Sequence, residues 1–430
     1  MKLPSFIKDN LLLKMTSLNA PVILTRLGIS IFIQRFISAY FGEVGFHLIG
    51  QLRSLVQILT SVTSMGLFNG IVKYVAQDKE DLEQLRKLFS TTFVFFTTAS
   101  LLCFLILFFG AGTISNYLFQ SQEYVLLIRV VSFVAPFIGM YRIFNGVVNG
   151  LSKYKQFASI ELISYLLGTI ATAYFIFVKN FEGVLISIAI VPVIQFGVLF
   201  FIFFKELRRV IPFKKLSWSA PMAKPLLAFS LMSFSSMLVS VLEIEIRNII
   251  ENAMSQKMSG IWTAMIFLSK NYMSFSVMLF SMYVLPKYAT INGRKDFKKE
   301  VLNIYKTLLP IFGFGMMLVY LLRHFIMDLV FPGHDKEALE PLFKWQLLGD
   351  FVKLMASIVA YQFIAKKLVK TFIFTEIVSM VLFFVFSYFL VGDYGVEGVT
   401  VAHLLRYLIY FVIVIFLVWR YFNKQKSALN

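Results

Sequence analysis

Residues 155–184 read KQFASIELISYLLGTIATAYFIFVKNFEGV, and residues 370–399 read KTFIFTEIVSMVLFFVFSYFLVGDYGVEGV. An offset of 215 residues, half the chain, lays one on the other without a gap. Lys155, Phe157, Glu161, Ser164, Glu182, Gly183 and Val184 fall on Lys370, Phe372, Glu376, Ser379, Glu397, Gly398 and Val399. A carboxylate inside an apolar run is rare enough that shared composition alone is a poor explanation. The same offset sets Arg129 on Lys344 and Gly45 on Gly260. The chain therefore reads as a duplication, with an N-terminal lobe over 1–210, a basic linker over 211–224 and a C-terminal lobe over 225–430.

Working outward from that repeat, the composition fixes the setting. Hydrophobic residues make up 58% of the 430, aromatics 17%, and the mean hydropathy is +0.78. No soluble chain of this length hides so much apolar surface. A membrane helix needs about 20 mostly apolar residues. On that ruler the spans fall near 16–40, 45–76, 87–110, 124–150, 157–178, 184–204, 225–250, 259–286, 301–326, 341–364, 371–391 and 399–421. The expected fold is all-α, with twelve transmembrane helices in two six-helix lobes. Because six is even, the lobes are parallel repeats. The basic N-terminus lacks a cleavage site after a short apolar core and reads as retained. Cys103 lies within an apolar run and reads as a small packing residue.

The net charge is +18, and its distribution orients the chain. One set of loops, together with both termini, holds 25 Lys and Arg residues, and the alternate loops hold 3. That bias places both termini in the cytoplasm. A further 13 basic residues fall within spans or at their edges, against six acidic ones, Glu161, Glu243, Glu245, Glu251, Asp350 and Glu376. A charge at the bilayer centre is unfavourable by about 2.5–3.5 kcal/mol and seeks a protein interior or a wet cavity. The cations Arg26, Arg53, Lys73, Arg129, Arg142, Lys270, Lys344 and Lys353 are thus candidates to line a cationic cavity and contact an anionic ligand.

Several of these sit in stripes. Arg53, Gln57, Thr60, Ser61 and Ser64 share one helical face, as a cavity wall or as a polar seam between helices. Arg142, Asn145 and Asn149 form a second stripe. Glu243, Arg247 and Glu251 recur at i, i+4, i+8 and read as a self-neutralised cluster. Asp350 shares a face with Gln346, Lys353 and Ser357; Asp350, Glu161 and Glu376 are either structural ion-pair members or coupling carboxylates. The four histidines, His47, His324, His334 and His403, show no metal-ligand spacing and read as interfacial or packing residues. No metal or cofactor is expected. The chain contains neither a GxxxxGK[ST] phosphate loop nor an HExxH zinc helix, and its short loops leave no room for a soluble catalytic or nucleic-acid-binding domain.

Particular strings carry a resemblance. Gly66-Leu67-Phe68-Asn69-Gly70-Ile71-Val72-Lys73-Tyr74-Val75-Ala76-Gln77 and Phe343-Lys344-Trp345-Gln346-Leu347-Leu348-Gly349-Asp350-Phe351-Val352-Lys353, with Gly260-Ile261-Trp262 and Tyr283-Val284-Leu285-Pro286, resemble the corresponding stretches of Wzx-type flippases. These are the enterobacterial common antigen and O-antigen translocases of the multidrug/oligosaccharidyl-lipid/polysaccharide (MOP) exporter superfamily, related to MATE transporters. The resemblance implies a non-enzymatic flippase of the bacterial inner membrane. Its cargo would be an undecaprenyl-pyrophosphate-linked oligosaccharide, moved from the cytoplasmic to the periplasmic leaflet by alternating access. Membrane lipids, a polysaccharide polymerase and chain-length machinery are the implied partners of a monomer. Two other readings stand beside it: a cation-coupled drug or metabolite antiporter of the same fold, and an intramembrane polymerase or acyltransferase.

Overall fold

A computed structural model of the chain describes the backbone of residues 11–291 and 293–427. Side chains are described over this range except at 11–27, 154–155, 228, 231–236, 278, 281–282 and 425–427. Among the described residues the chain is helical throughout, as the apolar runs dictate: without water, the backbone satisfies its polar groups internally.

Helices α1 (Leu11–Thr63), α2 (Phe68–Asp78), α3 (Leu82–Phe109), α4 (Ala111–Phe119), α5 (Val125–Gly150), α6 (Tyr154–Phe177) and α7 (Phe181–Val210) form the first half. Helices α8 (Ala223–Ala253), α9 (Gln256–Leu279), α10 (Leu285–Thr290), α11 (Arg294–Leu321), α12 (Arg323–Val330), α13 (Lys336–Ala365) and α14 (Val369–Ser427) form the second. A straight helix of the 59 residues of α14 would run roughly 88 Å, nearly three hydrocarbon cores. Gly395, at φ 58°, ψ −144°, breaks it into two spans, and Gly42, at φ 56°, ψ −154°, does the same for α1. Both glycines adopt backbone conformations that side chains resist. Divided at these breaks, the helices fit the twelve spans expected from the sequence; among the described residues seven helices, or eight counting one bent pair, are by themselves long and apolar enough to cross a membrane.

Four spans differ in detail from uninterrupted helices. The second bends by 43° between α1 and α2, where Met65 and Gly66 take positive φ. Residues 280–284 of the eighth form a π-turn, at the position the 215-residue offset assigns to the bend at 65–69. The third ends at Gly110 and continues as the short α4, and the ninth is interrupted at Leu322. The duplication is visible in packing: a Cβ on Gly183 would collide with Phe175, and one on Gly398 with Leu390, two contacts related by the same offset.

The compact units are exchanged by one helix relative to the repeat. One unit joins Met1–His47 to Glu245–Asn430, and the other is Leu48–Ile244. In the first, the end of the first span grips the second half of the chain: Arg35 donates to the carbonyls of Asp328 (3.0 Å) and Leu329 (2.6 Å), Ser38 Oγ lies 2.9 Å from His334 Nδ1, and the Asp335 N–H donates to Glu43 at 2.8 Å. In the second, the start of α8 completes a core of Ile71, Val75, Leu88, Val147, Phe203 and Leu226. The linker ahead of α8 is pinned to α3, with the Ser217 N–H donating to Ser90 Oγ and the Met222 N–H to Thr91 Oγ1, both at 3.1 Å.

Candidate functional site

Each unit carries a buried polar cluster among its spans. In the Met1–His47/Glu245–Asn430 unit the centre is Asp350 on α13, which is fully buried. An isolated carboxylate in such a place would be strongly unfavourable and must be surrounded by donors. Three converge on Oδ2: Tyr272 Oη at 2.5 Å, Ser269 Oγ at 2.6 Å and Gln346 Nε2 at 3.1 Å. His403 Nε2 lies 3.0 Å from Oδ1. Ser269 and Tyr272, three residues apart on α9, share the face this requires. His403 approaches because residue 349 is glycine; a Cβ there would strike the imidazole. Beyond His403, the Arg406 guanidinium stacks 4.4 Å from the Phe383 ring centroid and donates to Tyr407 Oη at 2.7 Å, and Lys353 Nζ lies 5.7 Å from the Tyr407 ring. Glu376 accepts from Tyr410 Oη at 3.1 Å.

In the Leu48–Ile244 unit, Glu161 accepts hydrogen bonds from Tyr141 Oη and, at 3.5 Å, from Asn145 Nδ2. Asn149 in turn donates to the Asn145 carbonyl at 2.8 Å. The repeat-related pair Glu161 and Glu376 are therefore both tyrosine-bonded, though the tyrosines come from non-equivalent spans. Arg142 is half-buried, with its guanidinium 3.9 Å from the Phe68 ring centroid. Lys73 is exposed and lies over Tyr74 and Phe229, at 5.0 and 5.7 Å.

The other candidates are placed as follows. Arg53 and Gln57 form an exposed face of α1, whereas Thr60, Ser61 and Ser64 in the same stripe donate back to carbonyls four residues earlier. Such back-bonding satisfies a hydroxyl inside an apolar helix. Lys270 is exposed on α9. Lys344 is exposed and lines a groove of about 460 Å³ between α11 and α13, with Met317, Tyr320 and Phe351. Its repeat counterpart Arg129 is also exposed, 5.7 Å from the Phe108 ring. The Arg26 side chain lies outside the described residues.

Glu251, in the Glu243–Arg247–Glu251 stripe, accepts from Gln256 at 2.7 Å and lies 3.3 Å from His47. Arg247 donates to Thr263 at 3.0 Å and lies over Trp262. The sequence marked Asp350 and Gln346 but missed Ser269, Tyr272 and His403. The signal for Ser269 and Tyr272 was their i, i+3 spacing within an apolar span; His403 has no local signal.

Residues 12–291 match the family described as polysaccharide biosynthesis protein. The chain is 29% identical to a lipid III flippase of Escherichia coli over 402 residues, covering 92% of this chain and 96% of the relative. Among solved structures, it is similar to an inward-facing multidrug resistance MATE family transporter of the MOP superfamily, with a TM-score of 0.80 and 14% identity, covering 94% of this chain and 96% of that one. It is also similar to the lipid II flippase MurJ in an inward closed conformation, with a TM-score of 0.70 and 16% identity, covering 94% and 87%. The chain is a multi-pass membrane protein with the fold of the MOP superfamily, and it belongs to the polysaccharide biosynthesis protein family.

Proposed function

We propose that this chain is a flippase, not an enzyme, that carries an undecaprenyl-pyrophosphate-linked oligosaccharide from the cytoplasmic to the periplasmic leaflet of a bacterial inner membrane, with both termini cytoplasmic. The observation that carries this reading is the end-to-end relationship to a protein named as a lipid III flippase. The cation excess within the spans supports it independently. A pyrophosphate leaving the headgroup layer needs cations that hold it away from water, and guanidinium groups bind phosphate oxygens through paired hydrogen bonds. Arg53, Lys73, Arg142, Lys270 and Lys353 are proposed to supply them in alternating access. Arg129 and Lys344 are exposed beside aromatic or apolar side chains. That arrangement suits an anion whose polyprenyl tail stays in the bilayer.

Asp350 is proposed as the coupling carboxylate. It is fully buried, with Ser269, Tyr272 and Gln346 donating to one oxygen and His403 beside the other, and a change in its occupancy by a proton or a cation would alter hydrogen bonds to α9, α13 and α14 together. A drug antiporter of the same fold is disfavoured because a cationic interior repels the usual cationic drugs.

The test is reconstitution into liposomes holding a lipid-linked oligosaccharide with a fluorescent sugar. Flipping is read as the fraction that becomes accessible to a membrane-impermeant quencher. Acceleration by the protein, absent for a phospholipid with the same label, supports the reading. Equal rates with and without protein, under both inside-acidic and inside-alkaline gradients, refute it.

A further inference from the structure

The linker that follows α7 builds a depression of about 770 Å³ against the start of α3. Five cations from three segments face it: Arg86 of α3, Arg208 and Arg209 at the end of α7, and Lys214 and Lys215 of the linker. All five are exposed, on the membrane face that carries 25 of the loop and terminal cations. Glu83 also lines the depression and Asp81 caps the same helix, and both carboxylates are engaged. Asp81 caps α3 by accepting from the N–H groups of Glu83 and Gln84, each at 3.0 Å, and Glu83 pairs with Lys87 at 2.9 Å.

A topological preference for basic loops explains cations scattered along this face. It does not explain five converging on one concavity. Nor is this a loose loop: Ile211 is buried in the core of its unit, and the hydrogen bonds from Ser217 and Met222 to α3 fix the linker's path. The depression also has an apolar side, where Leu82 is 63% exposed and Phe213 45%. Close by, Trp218 is 66% exposed and packs edge-on against Phe93 at 5.8 Å. An exposed tryptophan between polar linker and apolar span marks headgroup depth. Cations over apolar side chains at that depth match a lipid that is anionic above and acyl below.

We propose that this depression is a binding site for the headgroup of an anionic phospholipid. Arg86, Arg208, Arg209, Lys214 and Lys215 hold the phosphate oxygens, and Leu82 and Phe213 meet the upper acyl chain. The lipid clamps the linker between the two halves of the sequence repeat to the α3 and α7 ends. None of its lining residues is among the cations proposed to hold the cargo, and its occupancy does not depend on the cargo's identity.

Purified protein in a neutral detergent is titrated with short-chain phosphatidylglycerol, short-chain phosphatidylcholine or inorganic pyrophosphate while thermal unfolding is followed, since a ligand bound only by the folded state raises Tm with its concentration. Phosphatidylglycerol is expected to raise Tm beyond phosphatidylcholine. R208Q/R209Q and K214Q/K215Q should each weaken its apparent affinity about tenfold, whereas K298Q/K299Q on another basic loop leaves it unchanged. The substituted side chains are all exposed, so each variant's Tm without lipid serves as its folding control. A shift retained in both pocket variants, or lost equally in K298Q/K299Q, overturns the site. A shift of the same size with pyrophosphate overturns the lipid assignment in favour of a free phosphate ligand.

Discussion

His403 Nε2 lies 3.0 Å from Asp350 Oδ1, tying α13 to the last span across 53 residues of sequence. With Tyr272, Ser269 and Gln346 on the other oxygen, the carboxylate bridges three helices. The enclosure is complete enough that a change at Asp350 must be felt by all of them.

Asp350→Asn tests whether that sensitivity serves coupling. The amide keeps the volume but sets an NH2 group against donors that need an acceptor. The expected outcome is a transport rate that no longer responds to an imposed pH gradient, with membrane expression retained. Liposome flipping measured with and without the gradient decides it. A variant as gradient-responsive as the wild type makes Asp350 a structural residue.

Gly349→Ala tests the packing that brings His403 to Asp350. The added Cβ would strike the imidazole and the α13–α14 contact would have to open. Overpacking of this kind is unfavourable by about 1–3 kcal/mol. A lower unfolding temperature is expected, and the loss should be less than additive with His403→Ala, because removing the ring removes the collision. Additive losses in that double-mutant cycle would show that the two positions act separately.

Much of this architecture was legible in the chain. The twelve spans follow from apolar length, and the duplication from the paired carboxylates Glu161 and Glu376, because membrane burial makes those residues conspicuous. The breaks at Gly42 and Gly395 coincide with the turns that span length required. The exchange of helices between units was not legible: it depends on Ser38 meeting His334 and Leu226 joining Ile71, contacts between segments whose periodicities are individually unremarkable. Of the groups around Asp350, Gln346 shares its helix face and was legible, whereas Ser269, Tyr272 and His403 were hidden for the same reason. Which face of α9 meets which face of α13 is a matter of relative rotation, and no local spacing encodes it.

His334 lies in the turn between α12 and α13, outside the spans, and predicts a pH dependence. Burial lowers its pKa from 6.5 to about 4, against a smaller opposing effect of the Glu43 charge. Nδ1 contacts Ser38 and Nε2 is buried without a hydrogen-bond partner. Because the folded pKa is depressed, the unfolded state binds the proton more readily. The stabilisation is fully present above pH 6.5 and is lost as pH falls towards 4. The span of that shift sets a ceiling of about 3 kcal/mol. Unfolding curves between pH 7.5 and 4.5 should steepen in the wild type relative to His334→Asn, which preserves an acceptor or donor near Ser38. Parallel curves would remove His334 as the source.

Arg129 and Lys344 carry the last prediction. The repeat makes them equivalent, and both are exposed, Arg129 over Phe108 and Lys344 in the groove with Tyr320 and Phe351. If each meets the cargo's pyrophosphate where the lipid tail lies outside the bundle, removing either should slow flipping without abolishing it. Solvent and headgroup screening hold an exposed charge contact to about 1 kcal/mol, or roughly fivefold in rate. Arg129→Ala and Lys344→Ala should therefore show similar partial losses, the double variant a larger one, and Lys344→Arg a rate close to wild type because the charge is kept. Rates are compared in liposomes at matched protein content. A Lys344→Ala variant as fast as the wild type would place the groove off the transport path, leaving the other candidates, Arg53 and Lys353 among them, to hold the anion.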